Sequence, residues 1–194
     1  MKLSWHIKKF APQTFNIQSC TPKPKVSAGN CEAVSWHIRK TTMADIESVM
    51  VVYSFAQNMM AEYGNCDQWG TVHPPRALIE EDIRIGQSYV CVSGDEILAV
   101  FMVSTIPDPT YDIINGAWLD DKPYAVVHRI ARGRNGKGAG EFCLNWCFKE
   151  FGNVRIDTHE ANLPMITLLK RLGYEYCGII WIENGDERLA YQKR

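Results

Sequence analysis

Between an apolar run at residues 124–131 and a helix-forming run that begins near Ala139, the chain places Arg132-Gly-Arg-Asn-Gly-Lys-Gly-Ala-Gly140. Four glycines and three cations in nine residues constrain the fold more than any other feature. Glycine lets the backbone turn its N–H groups inward and lets a ligand approach the main chain. A helix opening at Ala139 adds unpaired amides and the positive end of its dipole. The unit is a strand–turn–helix whose turn suits a phosphate or pyrophosphate, with Arg132, Arg134 and Lys137 at its rim. A tight connector whose glycines serve only packing is the plainer alternative, and it leaves the cations unexplained.

Two common phosphate motifs fit poorly. A P-loop requires Ser or Thr after its lysine, and Gly138 stands there. A dinucleotide turn of the form G-x-G-x-x-G requires glycine at 141, where the sequence has Glu141, although Asp157 supplies that motif's acid after the next strand. Such a fold also goes on to build further βα units, but fewer than 40 residues follow Asp157 and they include two strands that close a sheet.

The rest of the pattern places this unit within one α/β (α+β) domain. Residues 34–40 read as a strand, and Thr42 with Asp45 has the spacing of a helix cap. Ile46, Val49, Met50, Tyr53 and Met60 then recur at helical spacing as far as about Tyr63, and Gly64 stops the helix. Pro75 opens a shorter helix that Gly86 closes. Runs at 88–92 and 96–105 flank the hairpin signal Gly94-Asp95. A short strand is expected at 111–114. After the glycine turn come a helix ending at Gly152, a strand at 154–158, and a helix at 162–172 with Gly173 as its stop. Strands at 174–182 and 188–192 surround Asn184-Gly185-Asp186. The expected architecture is a mixed, largely antiparallel central sheet flanked by helices.

Composition narrows the function classes. Residues 1–33 hold five lysines against the single acid Glu32, a balance of +4 that leaves residues 34–194 at −5 within the chain's net −1. A domain with that balance is not expected to bind nucleic acid, because phosphate neutralisation needs clustered cations. The apolar run 97–103 reads as a strand, far short of the ~18 residues that span a bilayer. Lys8 and Lys9 break the only apolar cluster at the N-terminus, so no secretory segment and no membrane are expected, and the expected compartment is cytoplasmic. Seven cysteines (20, 31, 66, 91, 143, 147, 177) lack zinc-type spacing, so free thiols and no metal are expected. Residues 1–33 read as a flexible extension to a domain at 34–194. Within the extension, Leu3-Ser-Trp-His-Ile-Lys-Lys9 echoes Val34-Ser-Trp-His-Ile-Arg-Lys40.

Asn135-Gly-Lys-Gly-Ala-Gly140 resembles the [Q/R]-x-x-G-x-[G/A] acyl-CoA pyrophosphate motif of the GNAT superfamily of N-acyltransferases. Val127-His-Arg-Ile-Ala131 is similar to the family's fourth strand and Arg155-Ile-Asp-Thr158 to its fifth. Asn162-Leu-Pro-Met-Ile-Thr-Leu-Leu-Lys-Arg-Leu-Gly-Tyr174 resembles the N-x-x-A-x-x-x-Y-x-x-x-G-[FY] helix that follows. The likeness covers about residues 36–194. Three positions depart from the pattern. Asn135 replaces Gln or Arg, the turn is shorter by about two residues, and Leu169 stands where a tyrosine often protonates the leaving thiolate.

The resemblance implies acetyl-CoA as co-substrate and direct attack by a primary amine, of a small molecule or a peptide, in a ternary complex. It implies cofactor contacts from Ile130, Ala131, Arg132, Arg134, Asn135, Gly136, Lys137, Gly138, Ala139, Gly140 and Asn162. Asn162 reads equally as a helix N-cap. Alternation along the fourth strand puts His128, Ile130 and Arg132 on one face. His128 is then the base, or the group that hands the proton to a water, against the alternative of a structural histidine. His159 and Glu160 are further candidates. Tyr63, Trp69 and His73 read as acceptor contacts or core, as do Tyr111, Trp118 and Trp181. The expected assembly is a monomer or homodimer. A domain that binds acyl-CoA without turnover is the second reading, and a dinucleotide oxidoreductase the third.

Overall fold

The computed structural model describes residues 35–194, so the expected extension, its echo of the first strand, Cys20, Cys31 and Val34 lie outside the described residues. The strands are β1 (Trp36–Lys40), β2 (Ser88–Ser93), β3 (Glu96–Ser104), β4 (Ile114–Gly116), β5 (Ala125–Arg132), β6 (Val154–Thr158), β7 (Glu175–Trp181) and β8 (Glu187–Lys193). The helices are α1 (Ile46–Glu62), α2 (Arg76–Arg84), α3 (Ala139–Phe151) and α4 (Leu163–Arg171). The strands form one sheet in the order β1-β2-β3-β5-β6-β8-β7-β4. Only β5 and β6 run parallel; every other pair is antiparallel. The mixed, largely antiparallel sheet expected from the sequence is present, and a doubly wound dinucleotide sheet, built from parallel strands, is excluded.

Each face of the sheet is covered. Phe101, Val127, Leu144, Ile156 and Leu169 pack on the side of α3 and α4. Val49, Tyr53, Ile79, Val90, Val100 and Ala131 pack on the opposite side, under α1 and α2. Further along that second face, Tyr111, Val126, Ile180 and Ala190 form a smaller cluster. Among the described residues no helix is long and apolar enough to cross a membrane.

The strand expected at 111–114 is a correction. Asp108 Oδ1 accepts hydrogen bonds from Thr110 N (2.9 Å) and Thr110 Oγ1 (2.6 Å), and Pro109 fixes the next φ, so the chain turns into a 3-10 helix, Pro109–Tyr111. The strand forms only from Ile114. At the first helix the cap works as read: Asp45 Oδ2 accepts from Thr42 N at 2.8 Å, and Arg39 grips the same carboxylate through two bonds of 2.8 Å.

One irregularity decides the shape of the site. Val100 pairs with Ala131 and Met102 with His128, so Arg129 and Ile130 together oppose the single residue Phe101. This is a β-bulge, and Arg129 sits there at φ 52, a left-handed conformation that opposes its Cβ by roughly 1–2 kcal/mol. The bulge reverses the alternation expected from the sequence. Ile130 packs on the α3 side, while His128 reaches Asp108 and Tyr111 and Ala131 packs under α1, so His128 and Ile130 do not share a face. Two contacts hold Arg129. Its guanidinium reaches both carboxylate oxygens of buried Asp82 at 2.8–3.0 Å, and its carbonyl accepts from Tyr53 Oη at 3.1 Å. Burial lifts the Asp82 carboxyl above its ordinary pKa even beside the arginine. Removing one partner of such a pair strands a charge and costs about 3–5 kcal/mol. Asp82→Ala is therefore expected to lower unfolding free energy by about that amount in urea titration; a loss below about 1 kcal/mol would show that the pair is not what restrains the bulge.

Candidate active site

The parallel pairing of β5 with β6 stops at Val127 and Ile156, while β5 continues beside β3 as far as Arg132. The two strands part beyond that point, and among the described residues the main-chain groups on the β6 side of residues 128–132 have no strand partner. A cleft of about 790 Å³ fills the gap. Ile130, Thr158 and Met165 line it from one side, and Trp69, His73 and His128 from the other.

His128 occupies the floor, about one-fifth exposed. Its Nε2 lies 2.7 Å from Asp108 Oδ2, and its Nδ1 3.6 Å from Asp157 Oδ1. Tyr111 Oη donates to the same Asp157 oxygen at 2.8 Å, and the Tyr111 ring meets the imidazole edge-on. Hydrogen bonds from His128 and Thr110 hold the Asp108 carboxyl well below its ordinary pKa, against the opposing effect of burial. Asp108 is thus a carboxylate at any pH near neutrality. As an acceptor it draws the Nε2 proton, which leaves the Nδ1 lone pair facing Asp157. Burial drives the His73 pKa down, and the nearby guanidiniums of Arg129 and Arg188 push the same way.

The glycine turn lies beyond the cleft, at the far end of β5. Gly136 packs so tightly that a Cβ there would sit 2.0 Å from the Leu98 carbonyl oxygen. Gly138 caps α3 at φ 88, where a side chain is strained. The amides of Lys137, Gly138, Gly140 and Glu141 have no intramolecular acceptor among the described residues. Arg132 and Arg134 both lie over the Phe55 ring, at 5.6 and 5.4 Å, and neither pairs with a carboxylate among the described residues. Asn135 is committed elsewhere, since its Nδ2 donates to Glu96 at 2.7 Å.

The remaining candidates separate. Asn162 lines the cleft, caps α4 by accepting from Met165 N at 3.2 Å, and donates to Gln68 across the cleft at 3.1 Å. Glu160 is not brought to His128. It lines a second depression of about 400 Å³ with His159, which the Ala161 amide engages at 3.1 Å. Leu169 is fully buried among core side chains and does not line the cleft. Of the ambiguous aromatics, Trp69 lines the cleft, Tyr63 is exposed, and Trp118 stacks on Arg155 at 4.1 Å. Cys143 and Cys147 are buried free thiols, and among the described residues no group of His, Cys, Asp or Glu is arranged to hold a metal.

Sequence reasoning missed Asp108, read Tyr111 as an acceptor contact or a core residue rather than as a partner of Asp157, and read Asp157 only as a dinucleotide acid. For Asp157 a signal existed: it follows Ile156 on β6 as His128 follows Val127, the residue paired with Ile156, on β5. Asp108 had none, because it arrives from a loop.

Solved structures share this fold. A GNAT-family acetyltransferase from Streptococcus agalactiae matches with a TM-score of 0.75 and 32% identity, over 81% of this chain and 94% of that one. The chain belongs to the GNAT family of acetyltransferases. A putative acetyltransferase from Staphylococcus aureus shares the fold at 23% identity and TM-score 0.61, over 81% of this chain and 97% of that one. So does the ribosomal-protein-S18-alanine N-acetyltransferase of Escherichia coli, at 12% and 0.56, over 82% and 93%. No family model and no curated protein matches the sequence.

The pairing of Asp108 fixes the sign of a pH effect on this GNAT domain. A carboxyl depressed in the folded state contributes stability above its unfolded pKa, and the contribution fades as pH falls toward the folded value. The stability difference between wild type and Asp108→Asn is expected to be constant above about pH 5 and to shrink below about pH 4. Chemical denaturation across that range checks it; a difference that grows in acid would contradict the assignment.

Proposed function

We propose that this GNAT protein transfers an acetyl group from acetyl-CoA to a primary amine, by direct attack within a ternary complex. The observation that carries the reading is a histidine held between two carboxylates in the gap where β5 leaves β6. The strand that carries the histidine ends in a turn with unpaired amides and free cations.

The residues present fit acetyl-CoA. Unpaired amides at a helix N-terminus, with Arg132, Arg134 and Lys137 beside them, suit a pyrophosphate. The open side of β5 offers main-chain groups along Ile130 and Ala131 to an amide-bearing arm. Asn162, at the mouth of the same gap, has its Nδ2 on Gln68 and would exchange that partner for the arm. When bound, acetyl-CoA supplies the activated acyl group.

The chain's own residues then have defined tasks. A lysine-type amine has a pKa near ~10.4 and arrives protonated. Asp108 holds the Nε2 proton, so His128 takes the amine's proton at Nδ1, and the two carboxylates stabilise the resulting imidazolium. Amides on the open side of β5 stabilise charge on the thioester oxygen. The C–N bond forms as the C–S bond breaks, and His128 returns its proton to solvent. With Leu169 in the core, the second proton, shed by the nitrogen as it becomes an amide, passes through water to the leaving thiolate.

A domain that binds acyl-CoA without turnover differs at one measurement, release of free thiol. For His128→Gln, kcat is expected to fall by about 10²–10⁴ while acetyl-CoA affinity by calorimetry stays unchanged. A kcat within twofold of wild type would remove His128 from the chemistry. For Gly138→Asp, with circular dichroism as the folding control, acetyl-CoA affinity is expected to fall at least tenfold. Undiminished affinity, or calorimetric binding of NAD but not of CoA, would count against acetyl-CoA at this turn.

A further inference from the structure

The cleft wall away from the glycine turn is strongly acidic. Asp67, Asp108, Asp157, Glu183 and Asp186 line it, and its adjoining depression, which shares Asp67 and Asp186, adds Glu160 and Glu187. Among the described residues no lysine lines either. The two arginines present are spent. Arg129 is locked on Asp82, and Arg188 is 5% exposed, with its guanidinium on the Glu187 carbonyl at 2.8 Å and near Asp186 at 3.8 Å. His73 is kept neutral by burial. Asp67 and Glu183 are exposed and have no side-chain partner among the described residues.

An acidic rim by itself marks nothing, but here it runs down to the pair His128 and Asp157 on the cleft lining. Asp157 Oδ1 and His128 Nδ1 are 3.6 Å apart, too far for a good hydrogen bond with each other, and both present lone pairs to the cleft. Tyr111 steadies the carboxylate from behind with its hydroxyl. An ammonium group can donate to both: Asp157 binds the cation, and His128 takes a proton from it. The acetyl-CoA arm takes the Ile130 side of the cleft, and on the other side carboxylates run from His128 and Asp157 outward to Glu183 and Asp67.

Resting on the acyl-transfer reading, we propose that the acceptor is an aliphatic polycation. One ammonium group lies between Asp157 and His128 and is acylated, and a second positive charge lies at the rim against Asp67, Glu183 and Asp186. The chemistry is two or more separated amines, from a free polyamine or a dibasic peptide. Acylation removes one charge, so the product binds the acidic rim less strongly than the acceptor and leaves more readily. Clustered like charges around a cleft also raise the encounter rate of a multivalent counter-ion, with strong dependence on ionic strength.

The test uses the full chain with acetyl-CoA and reads thiol release for butylamine, 1,4-diaminobutane, spermidine, Lys-Lys dipeptide and glycine. Spermidine or Lys-Lys is expected to exceed butylamine at least tenfold in kcat/KM, chiefly through KM, with the advantage shrinking as salt rises. Whichever of the two is better identifies the source of the second charge. The Asp67→Asn/Glu183→Gln double variant removes only unpaired exposed groups; it is expected to raise KM for spermidine about tenfold and KM for butylamine less than threefold. Calorimetry of spermidine into CoA-loaded protein reads binding without turnover. Equal kcat/KM for butylamine and spermidine, a preference for glycine, or no spermidine binding beside turnover of butylamine overturns the polycation and leaves acyl transfer standing. Acetyl-CoA binding with no thiol release from any acceptor overturns both.

Discussion

The ion pair between Arg129 and Asp82 sustains a backbone conformation that the sheet alone would not choose. A left-handed arginine inside a strand is strained, and the bulge it makes spends two residues opposite one. Three elements share the restraint: β5 carries Arg129, α2 carries Asp82, and α1 carries Tyr53. The consequence is geometric. The register change of β5 against β3 comes just after Val127, where its parallel pairing with β6 ends. In the gap between them side chains from both faces of the sheet meet: His128, Asp157, Ile130 and Thr158 all line it. The strain at Arg129 thus sits beside the point where the cleft opens.

The two ends of that cleft rely on different physics, and this explains which departures from the family pattern matter. The glycine turn presents main-chain amides, so its side chains are largely free to vary. Asn135, at the motif's first position, turns away to Glu96, and nothing in the turn's geometry calls on it. What the turn cannot give up is Gly136, whose missing Cβ leaves room for the Leu98 carbonyl. The His128 end is the reverse. Its groups come from the loop before β4, from β5 and from β6, and each acts through a side chain at a fixed distance.

That contrast also describes what the sequence made legible. Periodicity and glycine placement located each of the four α-helices and nearly every strand, because those signals are local; the cap at Thr42 and Asp45 and the stops at Gly64, Gly86 and Gly152 were visible as such. The turn was legible for the same reason. Strand alternation failed at Arg129, since a bulge is set by Asp82, 47 residues away in sequence, and leaves no local mark. The short strand failed at Tyr111 because hydrogen bonds from Thr110 to Asp108 outweighed a β-rich composition. The carboxylate partners of His128 were illegible in the same way. Asp108 lies 20 residues before it, in a loop whose path only the folded chain defines.

The position of Leu169 then bears on the chemistry. A buried leucine on α4 contributes to the packing of α4 on the sheet beside Leu144 and Ile156, and it brings no hydroxyl to the gap. In the proposed reaction the polar machinery is therefore concentrated on one side of the thioester, where the amine arrives. His128 and its two carboxylates handle the nucleophile, while the leaving group meets Met165, Ile130 and solvent. Such a site gains most from an acceptor that is hard to deprotonate and least from a poor leaving group. Thioesters carry a good leaving group, and amines of high pKa are reluctant nucleophiles at neutral pH. An acidic cleft that concentrates ammonium ions, and one oriented imidazole to deprotonate them, is the division of labour those two facts favour.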